Sequence, residues 1–238
     1  MFWFCVRSLF SEYGRLFLRH IALAHPVKTV RALFRSRGKR EGDFAAQSAE
    51  YGAFALGRRS IVGLGFCMKP KDAPCPSGSD LHGCGYLERY AANGGAQVPP
   101  ACRDCYIRKT GLAALRRGSA FYIMTSAKDI LFDVFKPSLE TGKFETGVFT
   151  LCRYSFQPFF TGMCISGIRG FLFPFCEGDC RDYKTWTRAD RGEKDEQTFL
   201  TQDARSMIET LLGGERTGEG DVSFEKRGNV FYPDSFGS

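Results

Sequence analysis

Short apolar runs rich in β-formers alternate with helical patterns from Cys105 onward, and no other feature limits the possible folds of this chain so tightly. "AFYIM" (Ala120 to Met124), "GVFTL" (Gly147 to Leu151) and "IRGFLF" (Ile168 to Phe173) read as buried strands, and Ser60 to Phe66 is a further candidate upstream. Helical spacing covers Ile107 to Arg117 and Ala127 to Glu140, the latter interrupted by Pro137. Strands alternating with helices predict an α/β fold with a small, mostly parallel sheet and flanking helices. A late helix is expected over Gln197 to Leu212, stopped by Gly213 and Gly214. "DVSFEKRGNVFY" predicts a closing hairpin that turns at Arg227 to Asn229.

Upstream of that pattern, residues 60 to 105 are dense in Gly, Pro and Cys and predict loops that need a constraint besides packing. The chain has ten cysteines in 238 residues, about 4%, below a disulfide scaffold but too many to be background. Cys67, Cys75, Cys84, Cys102 and Cys105 form a first group, with His82 two residues before Cys84, and are candidate metal ligands. The two-residue spacer in "CRDC" lets both sulfurs turn toward one ion. Five thiols exceed the four ligands of a closed zinc or iron-sulfur site, so at least one is open to substrate or a structural spare. Cys152, Cys164, Cys176 and Cys180 form a second group. Cys152 directly follows the "GVFTL" strand and Cys176 follows "GFLFPF", while Thr125 and Ser126 follow "AFYIM". In a parallel sheet such strand ends line the ligand crevice, so this group is a candidate cofactor site.

Other readings of the thiols remain open. Cys102 and Cys105 have thioredoxin-type spacing beside Arg103, Arg108 and Lys109, although "AANGGAQVPPA" stands where that motif has a strand. Cys164, within "GMCISG", also fits a small buried side chain, and metal-free catalytic thiols are a further alternative. Asp179, Asp182, Lys184, Trp186, Asp190 and Lys194 could rim the crevice as acid-base and anion-binding groups, or form a solvated loop. Phosphate-binding loops are missing, and His20, His25 and His82 give a histidine-based triad few candidates, so none is expected.

The order "FCMKPKDAPCP", "CGYLE", "CRDCYIRKTGLAALRRGSAFYIMT" and "TGVFTLC" resembles the cysteine-rich domain of unknown function 116 family over about residues 61 to 160. Its members show a Cys, a Cys-Pro, a Cys-x-x-Cys, a strand ending in Thr and a "GV" strand ending in Cys. The resemblance implies a cytosolic α/β domain suspected of binding a metal or cluster, and singles out Cys67, Cys75, Cys102, Cys105 and Cys152.

Residues 1 to 40 carry nine Lys or Arg against Glu12, a net of +8, which leaves −1 for the rest of the chain. Phe2, Val6, Leu9, Tyr13, Leu16, Phe17, Ala24 and Val27 recur at helical spacing, with Cys5 on the same side, and predict a basic amphipathic arm over residues 1–42 ahead of a cysteine-rich domain at 43–238. Pro26 should end or kink the first helix and start a second, with a hinge near Gly38 to Gly42. The arm could meet an anionic membrane surface, a redox partner protein or its own domain; nucleic acid is not expected, because the aromatics are assigned to the buried face. The amino-terminal stretch is interrupted by charges and lacks the order of a secretory signal, and no run reaches the ~20 residues of a span. A cytoplasmic chain is expected, with the inner membrane face as one place for the arm to dock. Together these features predict a cysteine-ligated metalloprotein with an iron-sulfur cluster, in electron transfer or reduction of a small substrate. The alternative is a zinc-stabilised binding module that docks through its arm; neither identifies catalytic residues.

Overall fold

The computed structural model describes residues 12–36, 56–72, 75–78, 81–94, 97–213 and 222–237. Six strands form one sheet in the order β4-β3-β1-β2-β6-β5: β1 (Ser60–Gly65), β2 (Ala120–Met124), β3 (Thr146–Leu151), β4 (Arg169–Pro174), β5 (Phe224–Arg227) and β6 (Val230–Pro233). Strands β4, β3, β1 and β2 are parallel. The β5–β6 hairpin adds an antiparallel edge against β2. These are the strands expected from the sequence, within a residue or two at each end.

Alternation of side chains splits the core into two layers. Val62, Leu64, Phe121, Ile123, Val148, Phe171 and Phe173 face one layer, beneath α3 (Gly85–Asn93), α4 (Tyr106–Arg116) and α9 (Gln202–Leu211). Ile61, Tyr122, Met124, Phe149, Leu151 and Leu172 face the other, beneath α1 (Glu12–Phe17), α2 (Pro26–Ser36), α5 (Ala127–Ile130), α6 (Lys136–Thr141) and α7 (Phe156–Ser166). Gly63 is bare because Phe149 lies across it: a Cβ there would stand 2.5 Å from Phe149 Cδ1.

After β1 the chain leaves toward the α3–α4 layer, and after β3 it leaves toward α7 on the opposite layer. β1 and β3 are neighbours in the sheet, so their carboxyl ends open a crevice at a topological switch point.

Three helices escaped the sequence pattern. Helix α3 sits inside the stretch expected to be irregular, α7 is mostly apolar and so shows little period, and α8 (Tyr183–Asp190) begins in the polar segment read as a substrate rim or a solvated loop. Asp182 caps α8 by accepting from the Thr185 N–H at 2.7 Å. The predicted helix at 127–140 is divided by a π-helical turn, Leu131–Phe135.

The arm departs from its expected packing. Tyr13, Leu16 and Phe17 meet the sheet layer as predicted, but Ala24 and Val27 face solvent. A π-helical turn at Leu18–Ala22 inserts an extra residue before the break at Pro26, which rotates the following helix out of phase. Ile21 and Ala32 hold the described part of the arm in the core. Phe2, Cys5, Val6, Leu9 and the expected hinge near Gly38 to Gly42 lie outside the described residues.

Candidate functional site

Nine cysteines are described and all are free thiols. Tertiary structure regroups them. Cys67 sits in the 3-10 turn that follows β1, Cys152 directly follows β3, and Cys180 lies in the segment after β4. These three meet at the switch-point crevice and line one cavity. Cys67 therefore parts from its sequence neighbours and joins the second group, because β1 and β3 are adjacent while residues 67 and 75 are separated by a loop.

Cys152 shares a hydrogen bond with Cys180 and stands 2.7 Å from the Ser155 hydroxyl. The shared bond polarises the pair: it holds the Cys152 thiol well above the usual range, where burial also pushes it, and draws Cys180 below, aided by the Lys194 ammonium. Burial raises Cys67 to about 11, against a hydrogen bond from Thr198 Oγ1 to its sulfur at 3.1 Å. Asp179 Oδ1 accepts from the Cys180 N–H at 2.8 Å and Oδ2 from the Arg153 N–H at 3.2 Å. The preceding residue, Gly178, has a φ of +64° and passes so close to the Gln197 carbonyl that a Cβ there would collide with it.

Cys75, Cys84, Cys102 and Cys105 form a separate set: a charge on Cys102 or Cys105 opposes ionising Cys84, and one on Cys75 opposes ionising Cys102 and Cys105. Cys84 and Cys105 stand at the N-caps of α3 and α4, and Cys102 closes a 3-10 turn. Burial raises Cys84 to about 11 and pushes Cys102 and Cys105 up as well. Helix N-terminal N–H groups oppose it at Cys84 and Cys105, and the Arg108 guanidinium does so at Cys102 and Cys105. As the side chains stand, no three or more His, Cys, Asp or Glu among the described residues are arranged to hold a metal ion.

The remaining candidates lie apart. Cys164 is on α7, beside α2 on the far layer, and Cys176 is exposed with its sulfur 3.4 Å from the Phe199 carbonyl oxygen. Of the expected rim, Trp186 and Asp190 line the cavity, Asp179 and Lys194 flank the thiols, and Asp182 and Lys184 are exposed at the start of α8.

The cavity has a volume of about 110 Å³ and opens to solvent, room for a molecule of only a few heavy atoms. Phe66, Met124, Phe135, Leu151, Phe159 and Phe175 give it apolar walls, and Tyr13 of α1 contributes a phenol that burial drives far up. Thr125, which also lines the cavity, belongs to a polar network that the sequence did not reveal. Thr125 Oγ1 is 2.6 Å from His82 Nε2 and donates to Asp129 Oδ2 at 2.9 Å, while His82 Nδ1 lies 3.1 Å from the Ile123 carbonyl oxygen. Asp129 Oδ2 also accepts from Ser126 at 2.6 Å and lies 3.2 Å from His82 Nε2. Burial pushes Asp129 up, but the Ser126 and Thr125 hydroxyls and the His82 ring outweigh it and leave the carboxyl low. Asp190 goes the other way: burial lifts it, although it accepts from the Ala127 N–H at 2.6 Å. Of the two carboxyls, Asp190 lines the cavity and is the one raised toward holding a proton, while Asp129, bonded to the lining Thr125, is held ionised. His82 is 43 residues from Thr125, so only β2 pairing with β1 brings them together.

No protein-family model, curated protein or solved structure matches the chain.

Proposed function

We propose that this protein is a cysteine-ligated metalloprotein that moves electrons from a partner protein to a small, largely apolar molecule held in the switch-point cavity. The observation that carries this is the regrouping of seven thiols into a set of four beside two helix N-termini and a set of three on the cavity wall. Four thiols suit a closed site. Cys67, Cys152 and Cys180 would be the residues to hold a metal or cluster beside the cavity, with fewer thiols than a closed site takes. Unbridged thiols in these numbers fit iron-sulfur ligation, with Cys180 the one drawn toward the thiolate; the set of four by itself also fits zinc.

A metal or cluster would supply the electrons' path. The chain's own residues do the rest. Lys194 offsets negative charge at Cys67, Cys180 and Asp179. Thr198 orients the Cys67 sulfur, and the phenylalanine walls exclude water from a bound molecule. Reduction consumes protons as well as electrons, and the cavity has groups to provide them: Asp190, and Thr125 backed by His82 and Asp129.

Protein purified without oxygen should carry iron and acid-labile sulfide and absorb in the visible range. A Cys67→Ser, Cys152→Ser double variant should lose one share of the iron, and a Cys84→Ser, Cys105→Ser variant the other. Zinc alone, without colour, would leave only a structural set of four. Neither metal after loading with iron and sulfide would sink the proposal.

A further inference from the structure

Helix α2 is oriented the wrong way round for a helix that only packs on its own domain. Ala32 is buried at 2% exposure, whereas Leu23 just before the helix and Val27, Val30 and Phe34 along it are 75%, 62%, 51% and 69% exposed. Residues 27, 30 and 34 follow the three-four spacing of one helical stripe, so these side chains form a ridge facing away from the protein, with Leu23 in the turn just before it and Leu33 (54% exposed) at its edge. Such a ridge in water loses the benefit of burial at every position.

The charges beside the ridge point to what covers it. Lys28, Arg31 and Arg35, at three- and four-residue spacing, occupy the flank between the ridge and the buried face and line a cavity with Phe34, Ile165 and Gly167 at the α2–α7 seam. None of the three forms an ion pair with a described residue. Residues 13 to 36 contain five Lys or Arg and no Asp or Glu. Glu12, the acid just before them, is taken by Lys128 at 2.9 Å.

We propose that α2 docks the protein on an anionic phospholipid surface, with Leu23, Val27, Val30 and Phe34 among the acyl chains and Lys28, Arg31 and Arg35 on the headgroup phosphates. A protein partner's apolar groove would match the ridge but would give no reason for a flank of cations without one acid. Among the described residues no helix is long and apolar enough to cross a membrane, and this helix lies on the surface. The proposal uses none of the thiols and is independent of the metal reading. Helix α2 runs back through Leu18–Ala22 to α1, whose Tyr13 walls the cavity, so the lipid-facing segment is continuous with that wall.

Vesicle co-sedimentation of the full chain tests this. Binding is expected to phosphatidylcholine vesicles containing phosphatidylglycerol, and much less to phosphatidylcholine alone, with loss of binding at high salt. Val27→Ser with Phe34→Ser, and separately Lys28→Glu with Arg31→Glu, should each weaken binding about tenfold or more. All four positions are exposed, so circular dichroism should show both variants folded. Equal binding to neutral vesicles would overturn the proposal, as would wild-type binding by both variants. A dimer in solution that Phe34→Ser dissociates would overturn it in favour of a second copy on the ridge. Binding of inorganic phosphate without any vesicle binding would reduce the flank to a free-anion site and equally overturn it.

Discussion

The Thr198 hydroxyl donates to the Cys67 sulfur at 3.1 Å, and the Thr198 N–H donates to the Cys67 carbonyl oxygen at 2.9 Å, across 131 positions of chain. The two bonds pin the turn after β1 to the segment before α9, and with it one of the three cavity thiols. Thr198 is 2% exposed. Thr198→Val keeps the shape and the backbone bond but removes the hydroxyl, so about 1 kcal/mol of stability should be lost. Thr198→Ser, which retains the donor, should recover the hydrogen bond, and urea unfolding of the metal-free variants side by side would separate the two effects.

Metal content should follow the spatial grouping of the thiols rather than their order in sequence. Cys164→Ser and Cys176→Ser are expected to leave bound metal unchanged, because neither sulfur lies with either set. Cys67→Ser should behave like Cys152→Ser and unlike Cys75→Ser. Elemental analysis of single variants would settle the grouping, and a Cys67 variant that tracked Cys75 would refute it.

Acid should reveal Asp129 and Asp190 with opposite signs. Asp129 titrates below its ordinary value of 3.8 in the folded chain, so its stabilisation is present above that value and disappears as pH falls through the lowered folded value. Asp129→Asn should therefore be less stable than wild type at neutral pH, with the gap closing below 3.8. Asp190 is raised chiefly by burial, so ionising it costs stability as pH climbs from 3.8 through the folded value. Asp190→Asn keeps an acceptor for the Ala127 N–H and should be more stable than wild type at neutral pH, with no advantage in strong acid. Denaturant midpoints measured across pH would read both.

Packing of Phe149 over β1 should not tolerate a side chain at Gly63. Phe149 is fully buried and Met124 Sδ stands 3.0 Å from the same position, so neither neighbour moves freely. Gly63→Ala should cost about 1–3 kcal/mol, lowering the melting temperature by about 2–4 °C per kcal/mol. An unchanged melting temperature would mean that the ring has room to swing away.

Strand identity was written locally. "AFYIM", "GVFTL" and "SIVGLG" are short apolar runs bounded by breakers, and each forms a strand within a residue or two of its expected ends. Local chemistry also marked a helix over Ile107 to Arg117 and Gly213 as the end of another. It was silent on α7, since "FQPFFTGMCIS" is mostly apolar, with only Gln157 and Thr161 to mark its partly exposed face, and so shows little helical period. It misjudged the arm's buried face, because one π-helical turn shifts everything after it and leaves no sequence mark. What the sequence by itself determined is the α/β alternation and the supply of thiols, both set by residue type and near-neighbour spacing. Only the tertiary structure decided which thiols share a site, which carboxylates stand beside the cavity and which face of α2 meets the solvent. Those depend on strand order, and the pairing of β1 with both β2 and β3 brings Cys67 to Cys152 and His82 to Thr125 over distances along the chain that no local pattern spans.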